Sequence, residues 1–459
     1  MILIIYAGFM LLSMTVALID WRRGWLMAVV CGVLQDPVRK LTPGTPVAIT
    51  LSVMVVYAMI LFAALPALQR DGKEFGKRFS NVYAATLLVS LFVVLAALRG
   101  LFTYGMGGWK APALSLFIYC APVPAVLLGY AYLQREEQLY KFFRYYAIIT
   151  SIALIGTPLE YFNVPWRALG TVALSEAYIR HLPGLQIRLL SGFYRAPDVM
   201  AWHAATLTII GLIMTLRGKM LRAWPWMIAI GWGFLNCLLS GRRKAVYMVA
   251  VFVIIFLWRY MRRLSVAQIV TFVVALSMVG LVVQKIAQDE QSSVYARGTV
   301  TSRQEVLERL EGGMVETIRE FGLLGAGLGA ATQGVQHVIT EGGPVGWQEG
   351  GLGKLTVELG VPGLLAVVIF AFAIFRTMMK ISAHPDVSGS SQLIRCAIFG
   401  IIVANVVEFM ASAQAYSDAV LTLMTAFFFG CMFATAVLDE RLAAAPAPAP
   451  QPLPAPATA

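Results

Sequence analysis

MILIIYAGFMLLSMTVALIDWRR, residues 1–23, runs without a charge from Met1 to Ile19 and then stops at Asp20-Trp21-Arg22-Arg23. Crossing ~30 Å of hydrocarbon takes about 20 apolar residues as a helix. The run has no basic leader and no small-residue cleavage site, so it reads as a retained span rather than a signal peptide. Working outward, comparable runs recur near 46–66, 80–98, 113–133, 143–157, 199–216, 224–240, 245–258, 265–284, 358–377, 392–411 and 417–437. A shorter apolar segment at 25–37 is either a further span or a partial one, for a total of about twelve or thirteen. These runs are long and unbroken rather than ten-residue alternating strands, and unsatisfied backbone groups in lipid are too costly to leave open. The expected fold is therefore all-α, a polytopic transmembrane helical bundle.

Apolar residues make up 59% of the 459, charged residues 13%, and mean hydropathy is +0.74. Those values exclude a water-soluble globular domain and make the bilayer the solvent for most of the chain. Residues 1–441 read as one integral membrane domain. Residues 442–459 alternate Ala and Pro, which suits a disordered cytoplasmic tail. Cys31, Cys120, Cys237, Cys396 and Cys431 all lie in apolar segments with no C-x-x-C spacing, so neither a disulfide framework nor a zinc site is implied.

A net charge of +12 could suggest nucleic acid. The basic residues instead sit at span ends in short loops, as the positive-inside rule requires, and no nucleic-acid partner is inferred. One set of loops holds most of them, from Arg22 and Arg23 through Arg70–Arg78, Arg135–Arg144, Arg217–Arg222 and Arg259–Arg263 to Arg376 and Lys380. The other set holds only Arg39, Lys40, Arg99, Lys110, Arg242, Arg243 and Lys244, so the first set faces the cytoplasm. With 25–37 counted as a span, two long loops, 158–198 and 285–357, fall outside.

The second of these carries Ser302-Arg303-Gln304-Glu305, a capping box, followed by Val306, Leu307, Leu310, Met314 and Ile318 at helical spacing and closed by Gly322. An amphipathic helix lying on the bundle or the lipid surface is expected. Arg303 sits where the helix dipole favours an anion, an odd place for a cation unless it helps to bind phosphate. Beyond it come Gly325-Ala326-Gly327-Leu328-Gly329, His337, Trp347-Gln348-Glu349-Gly350-Gly351 and Glu358-Leu359-Gly360. Glycine-rich stretches of this kind read first as flexible connections.

The first loop ends in Arg188-Leu189-Leu190-Ser191-Gly192-Phe193-Tyr194-Arg195-Ala196-Pro197-Asp198 and runs into a span that opens with Trp202 and His203. Arg242, Arg243 and Lys244 follow Leu239-Ser240-Gly241 in a tight outer loop. Cations gathered on the outer side run against the charge rule, and phosphate binding explains them better than anchoring. Within the spans, Glu408 and Asn405 are a functional pair or carboxylate and amide near the interface, and His203 reads as a packing histidine.

In order and topology these segments resemble the O-antigen ligase and Wzy-type polysaccharide polymerase family, whose members have about a dozen spans and two outer loops bearing essential arginines. Arg188 with Ser191-Gly192-Phe193 and Pro197 is similar to the family's first arginine segment, with Asp198 where Asn is usual. Leu239-Ser240-Gly241-Arg242-Arg243 resembles its small outer loop. Thr301-Ser302-Arg303, the helix, Gly325–Gly329 and Glu358-Leu359-Gly360 resemble its second arginine segment. The resemblance covers residues 185 to 370. Where the ligases carry a histidine about nine residues before the position of Glu358, this chain has Glu349, and His337 lies twelve residues further back.

The resemblance implies a membrane glycosyltransferase that polymerises or transfers undecaprenyl-diphosphate-linked oligosaccharide repeat units to an acceptor glycan at the periplasmic face of the bacterial inner membrane. It implies work among membrane lipids and beside a flippase and a chain-length regulator. Arg188 and Arg303 would steady the departing diphosphate, Arg195, Arg242 and Arg243 would support them, and Glu349 or His337 would take the acceptor proton. No Asp-x-Asp or His cluster occurs in the loops, so no metal or other cofactor is expected. A ligase using another acceptor, and a transporter that moves the glycan unchanged, are the alternatives. Transporters, however, place polar and broken-helix features at the midplane.

Overall fold

The structure, a computed structural model, describes residues 1–172, 179–182, 185–217, 223–288, 293–295, 315–332, 348, 350–383, 389–438 and 440. Asp20 alone separates the first two helices, α1 (Ile2–Ile19) and α2 (Trp21–Leu41). Its carboxylate accepts the Arg22 and Arg23 backbone N–H groups at 2.9 and 3.4 Å, so one residue both ends α1 and caps α2. At 1.5 Å per residue, the 21 residues of α2 reach about 31 Å, although with its charged ends the helix is not one of those apolar enough to count as a span. The segment at 25–37 thus lies within one continuous helix. Its outer end buries Gln35, Asp36 and Lys40, which is why apolar residues alone shorten it.

There follow α3 (Ser52–Arg78), α4 (Ser80–Tyr104), α5 (Lys110–Cys120), α6 (Pro122–Tyr132), α7 (Glu136–Ala153) and the short α8 (Gly156–Tyr161). A two-stranded antiparallel hairpin, β1 (Ile179–Leu182) and β2 (Leu185–Arg188), stands in the first long loop with Ile179 opposite Arg188. Then come α9 (Pro197–Arg217), α10 (Trp224–Leu239), α11 (Arg243–Tyr260), α12 (Val266–Gln288), α13 (Gly351–Ala383), α14 (Gly389–Ala411) and α15 (Ala419–Ala434). Among the described residues, ten helices or near-continuous helix pairs are long and apolar enough to cross a membrane, and α10 and α15 are shorter apolar helices. The chain is an all-α, multi-pass membrane protein.

Two expected spans are not single straight rods. The run at 113–133 divides into α5 and α6 at Ala121-Pro122. In α13, Gly360 takes φ +71°, ψ 179° just before Pro362, whose missing N–H and fixed φ rule out regular helix there. In the second long loop, the described helical turn at 315–321 ends at Gly322 (φ +71°), whose N–H donates to Ile318 O at 3.0 Å. The expected glycine stop is therefore present, while the capping box at 302–305 lies outside the described residues.

Helix α9 is the hub. It is buried along nearly its whole length and packs on α7, α10, α11 and α12, whereas α1 keeps one side chain face after another toward lipid. Close approach is bought with glycine where α6 crosses α15. A Cβ on Gly129 would stand 2.1 Å from Phe427 O, and one on Gly430 would stand 1.9 Å from Val126 O. Such small-residue contacts drive helix association in lipid, where no hydrophobic force is available between helices.

Candidate functional site

The helix alternation brings the C-terminal ends of α2, α10 and α14 and the N-terminal ends of α9, α11 and α15 to one end of the bundle. Charged residues of the first long loop and of the short 240–243 loop gather there. The segment 189–196 is held by three side chains from two separate elements. Glu160 of α8 accepts the backbone N–H groups of Ser191 and Gly192 on Oε2, at 2.9 and 2.7 Å. Lys40 of α2 donates from Nζ to Gly192 O and Tyr194 O, at 2.8 and 2.5 Å. Asp36, one turn earlier, accepts Arg195 N–H at 2.9 Å. Gly192 has φ +56°, and a Cβ there would stand 2.7 Å from Thr157 N, so no other residue fits.

This clamp fixes two arginines. Arg188 ends β2 with its side chain 59% exposed, its Nη1 donating to Asn163 Oδ1 at 2.9 Å and its Nη2 3.6 Å from Glu160 Oε1. Tyr295 donates its hydroxyl to Arg188 O at 2.8 Å, and burial pushes that phenol up to about 12, so it stays a donor. Arg195 is mostly buried and pairs with Asp418 Oδ2 at 3.0 Å. Asp418 also caps α15 through the N–H groups of Val420 and Leu421.

The short loop between α10 and α11 joins this arrangement directly. Gly241 (φ +67°) packs so close to the first loop that a Cβ would meet Leu189 Cδ2 at 2.5 Å, and Ser240 Oγ accepts Arg242 N–H at 3.0 Å. Arg242 Nη2 lies 2.9 Å from Asp198 Oδ2, Lys244 pairs with the other oxygen of Asp198, and Arg243, half-buried, opens α11. Lys244 also donates to Ser412 Oγ just past α14. Glu408, 2% exposed on the last turns of α14, has Lys244 and Asp198 as its charged neighbours.

The second loop contributes a docked segment rather than the flexible connection that its glycines suggested. Gly325, Gly327 and Gly329 all have positive φ, and a Cβ on Gly327 would stand 2.4 Å from Gly100 N. Ala326 N–H donates to Val357 O at 2.7 Å and Leu328 N–H to Ala96 O at 2.9 Å, so the glycines let backbone lie on backbone against α4 and α13. The segment wraps Glu358, fully buried. Its Oε1 accepts from Thr332 Oγ1 at 2.5 Å, Ser115 Oγ at 3.2 Å and the Gly329 and Ala331 N–H groups at 3.3 Å, and its Oε2 accepts from Tyr119 at 2.8 Å. Here the donors of the glycine-rich strand are spent on a carboxylate of the chain itself.

Of the residues singled out in sequence, Arg188, Arg195, Arg242 and Arg243 share this end of the bundle. Arg303, His337 and Glu349 lie outside the described residues. His203 is packed, with Nδ1 2.6 Å from Tyr146 OH and its ring stacked on Tyr194. Asn405 accepts from Trp202 Nε1 at 2.8 Å. The residues that sequence reasoning missed are the acids Asp36, Glu160 and Asp418 and the cation Lys40. Their one legible signal was charge inside or beside an apolar run, which is costly unless paired. No protein-family model matches the chain, and no curated protein matches it.

Proposed function

We propose that this chain is a membrane glycosyltransferase that transfers or polymerises oligosaccharide repeat units from a polyprenyl-diphosphate carrier, undecaprenyl diphosphate in bacteria, at the outer face of the inner membrane. The observation that carries the reading is the preorganised cation layer. Arg195, Arg242 and Lys244 are oriented by buried carboxylates, while Arg188 at their edge has a side chain that is 59% exposed and held by Asn163 and Glu160. In the reaction the acceptor hydroxyl oxygen attacks the anomeric carbon and the bond from that carbon to the phosphate oxygen breaks. The electron pair leaves with the diphosphate, and the hydroxyl proton passes to a base, Glu349 or His337. Charge develops on the diphosphate as the bond breaks, so donors already fixed in place stabilise the transition state without reorganising. Guanidinium suits the role because it presents parallel donors to phosphate oxygens and stays charged.

The test is transfer by the purified full-length protein in liposomes carrying a polyprenyl-diphosphate oligosaccharide, with products resolved by chain length. Arg188→Ala should lower the rate by about 10²–10³, the usual cost of one such electrostatic group. Arg188→Lys should recover little, because one ammonium does not replace a two-donor fork. Unchanged chain length in the Arg188→Ala variant would remove the proposal. Since arginines serve where other transferases use a divalent ion, activity should persist in excess EDTA, and its loss, restored by added Mg²⁺ or Mn²⁺, would contradict the assignment.

A further inference from the structure

At the opposite, basic end of the bundle, the start of α2 and the α6–α7 connection border a half-open cavity of about 550 Å³ lined by Arg22, Gln134, Arg135, Glu137, Gln138 and Lys141. We propose that this cavity is a binding site for a phosphate-bearing anion, either a phospholipid headgroup or a soluble phosphate compound. Three cations face one carboxylate across the cavity, leaving two positive charges in excess. The positive-inside rule accounts for basic residues at this face but not for their convergence on a cavity, nor for the state of Arg22. That guanidinium is held in place, Nη2 donating to Ala131 O at 3.2 Å and the group lying 4.7 Å from the Trp21 ring. Its Nε is nonetheless buried with no hydrogen-bond partner. With its Nε turned inward, Arg22 is positioned by these contacts and adds its charge to the cavity lining.

The other lining groups fit the same ligand. Gln138 accepts two backbone N–H groups on Oε1, from Gln134 at 2.7 Å and Arg135 at 3.0 Å, which fixes the amide and leaves its NH₂ as a donor. Arg135 and Lys141 are exposed, and neither takes part in an ion pair among the described residues. Several donors and two surplus charges match the oxygens and double charge of a phosphate monoester or of paired phosphodiesters. Basic pockets between helices at this level of a membrane protein are of the kind that holds anionic headgroups.

The test uses the full-length protein and a double variant, Arg135→Gln with Lys141→Gln, both exposed positions whose loss should leave folding intact. Lys73→Gln with Lys77→Gln, exposed on the same face outside the cavity, is the control. Native mass spectrometry after detergent extraction reads retained cardiolipin and phosphatidylglycerol, and thermal unfolding in phosphatidylcholine nanodiscs reads stabilisation by inorganic phosphate against chloride at equal ionic strength. The cavity variant should lose binding by about five-fold for each charge removed, with the control unchanged. Retained lipid without a phosphate effect supports the site with a headgroup as ligand, and a phosphate effect without retained lipid supports it with a soluble ligand. Absence of both in the wild type, or an equal loss in the control, overturns it.

Discussion

At the scale of single residues, the candidate site is built by buried acids engaged with the chain's own backbone and cations. Glu160 is the clearest case, because one carboxylate oxygen holds two backbone N–H groups of the first loop while the other faces Arg188. Replacing it with alanine leaves both buried donors without an acceptor, at a cost of about 1–3 kcal/mol for each. Glu160→Ala should therefore lower the unfolding midpoint in detergent markedly, and Glu160→Gln, which keeps an acceptor oxygen, should lower it less. If the alanine variant unfolds with the wild type, the clamp has been misread. Neither Glu160 nor Asp36 was visible as part of the site in sequence. Each stands far from the arginines along the chain, and a carboxylate at a helix end looks the same whether it faces water or a backbone amide.

At the scale of elements, tight crossings decide which helices are neighbours. Where α6 meets α15, the backbones approach through Gly129 and Gly430, with no room for a methyl group. Gly129→Val forces those backbones apart, and overpacking of this kind costs about 1–3 kcal/mol or more. The expected result is a lower melting temperature in detergent together with weaker resistance to proteolysis, and an unshifted melting curve would count against the crossing. The glycines at 325, 327 and 329 show how ambiguous that residue is in a sequence. Positive φ and absence of a side chain serve a mobile linker and a docked strand equally well, and only the facing backbones of α4 and α13 select the second. The stop at Gly322 was readable in advance because it depends on neighbours three and four residues away.

At the scale of the whole molecule, the pairing of the loops rests on which end of each helix they join. The five cysteines include four that are buried and one, Cys120, that is exposed, so a Cys120→Ser background is nearly silent to thiol reagents. In that background, Trp166→Cys in the first loop and Leu323→Cys in the second, both at exposed positions, should react with a membrane-impermeant maleimide added to intact spheroplasts. Labelling that requires opening the cytoplasmic side would place both loops on the wrong face for a lipid-linked donor. Hydropathy determined by itself that the chain is a multi-pass helical membrane protein, because lipid demands long apolar helices and that signal is local and additive. Which acid meets which base was decided only in three dimensions: Asp198 with Arg242 and Lys244, Glu160 with Ser191 and Gly192, Glu358 with the glycine strand. Such pairings depend on distances between helix ends that lie tens to hundreds of residues apart, and the period of a helix carries no record of them.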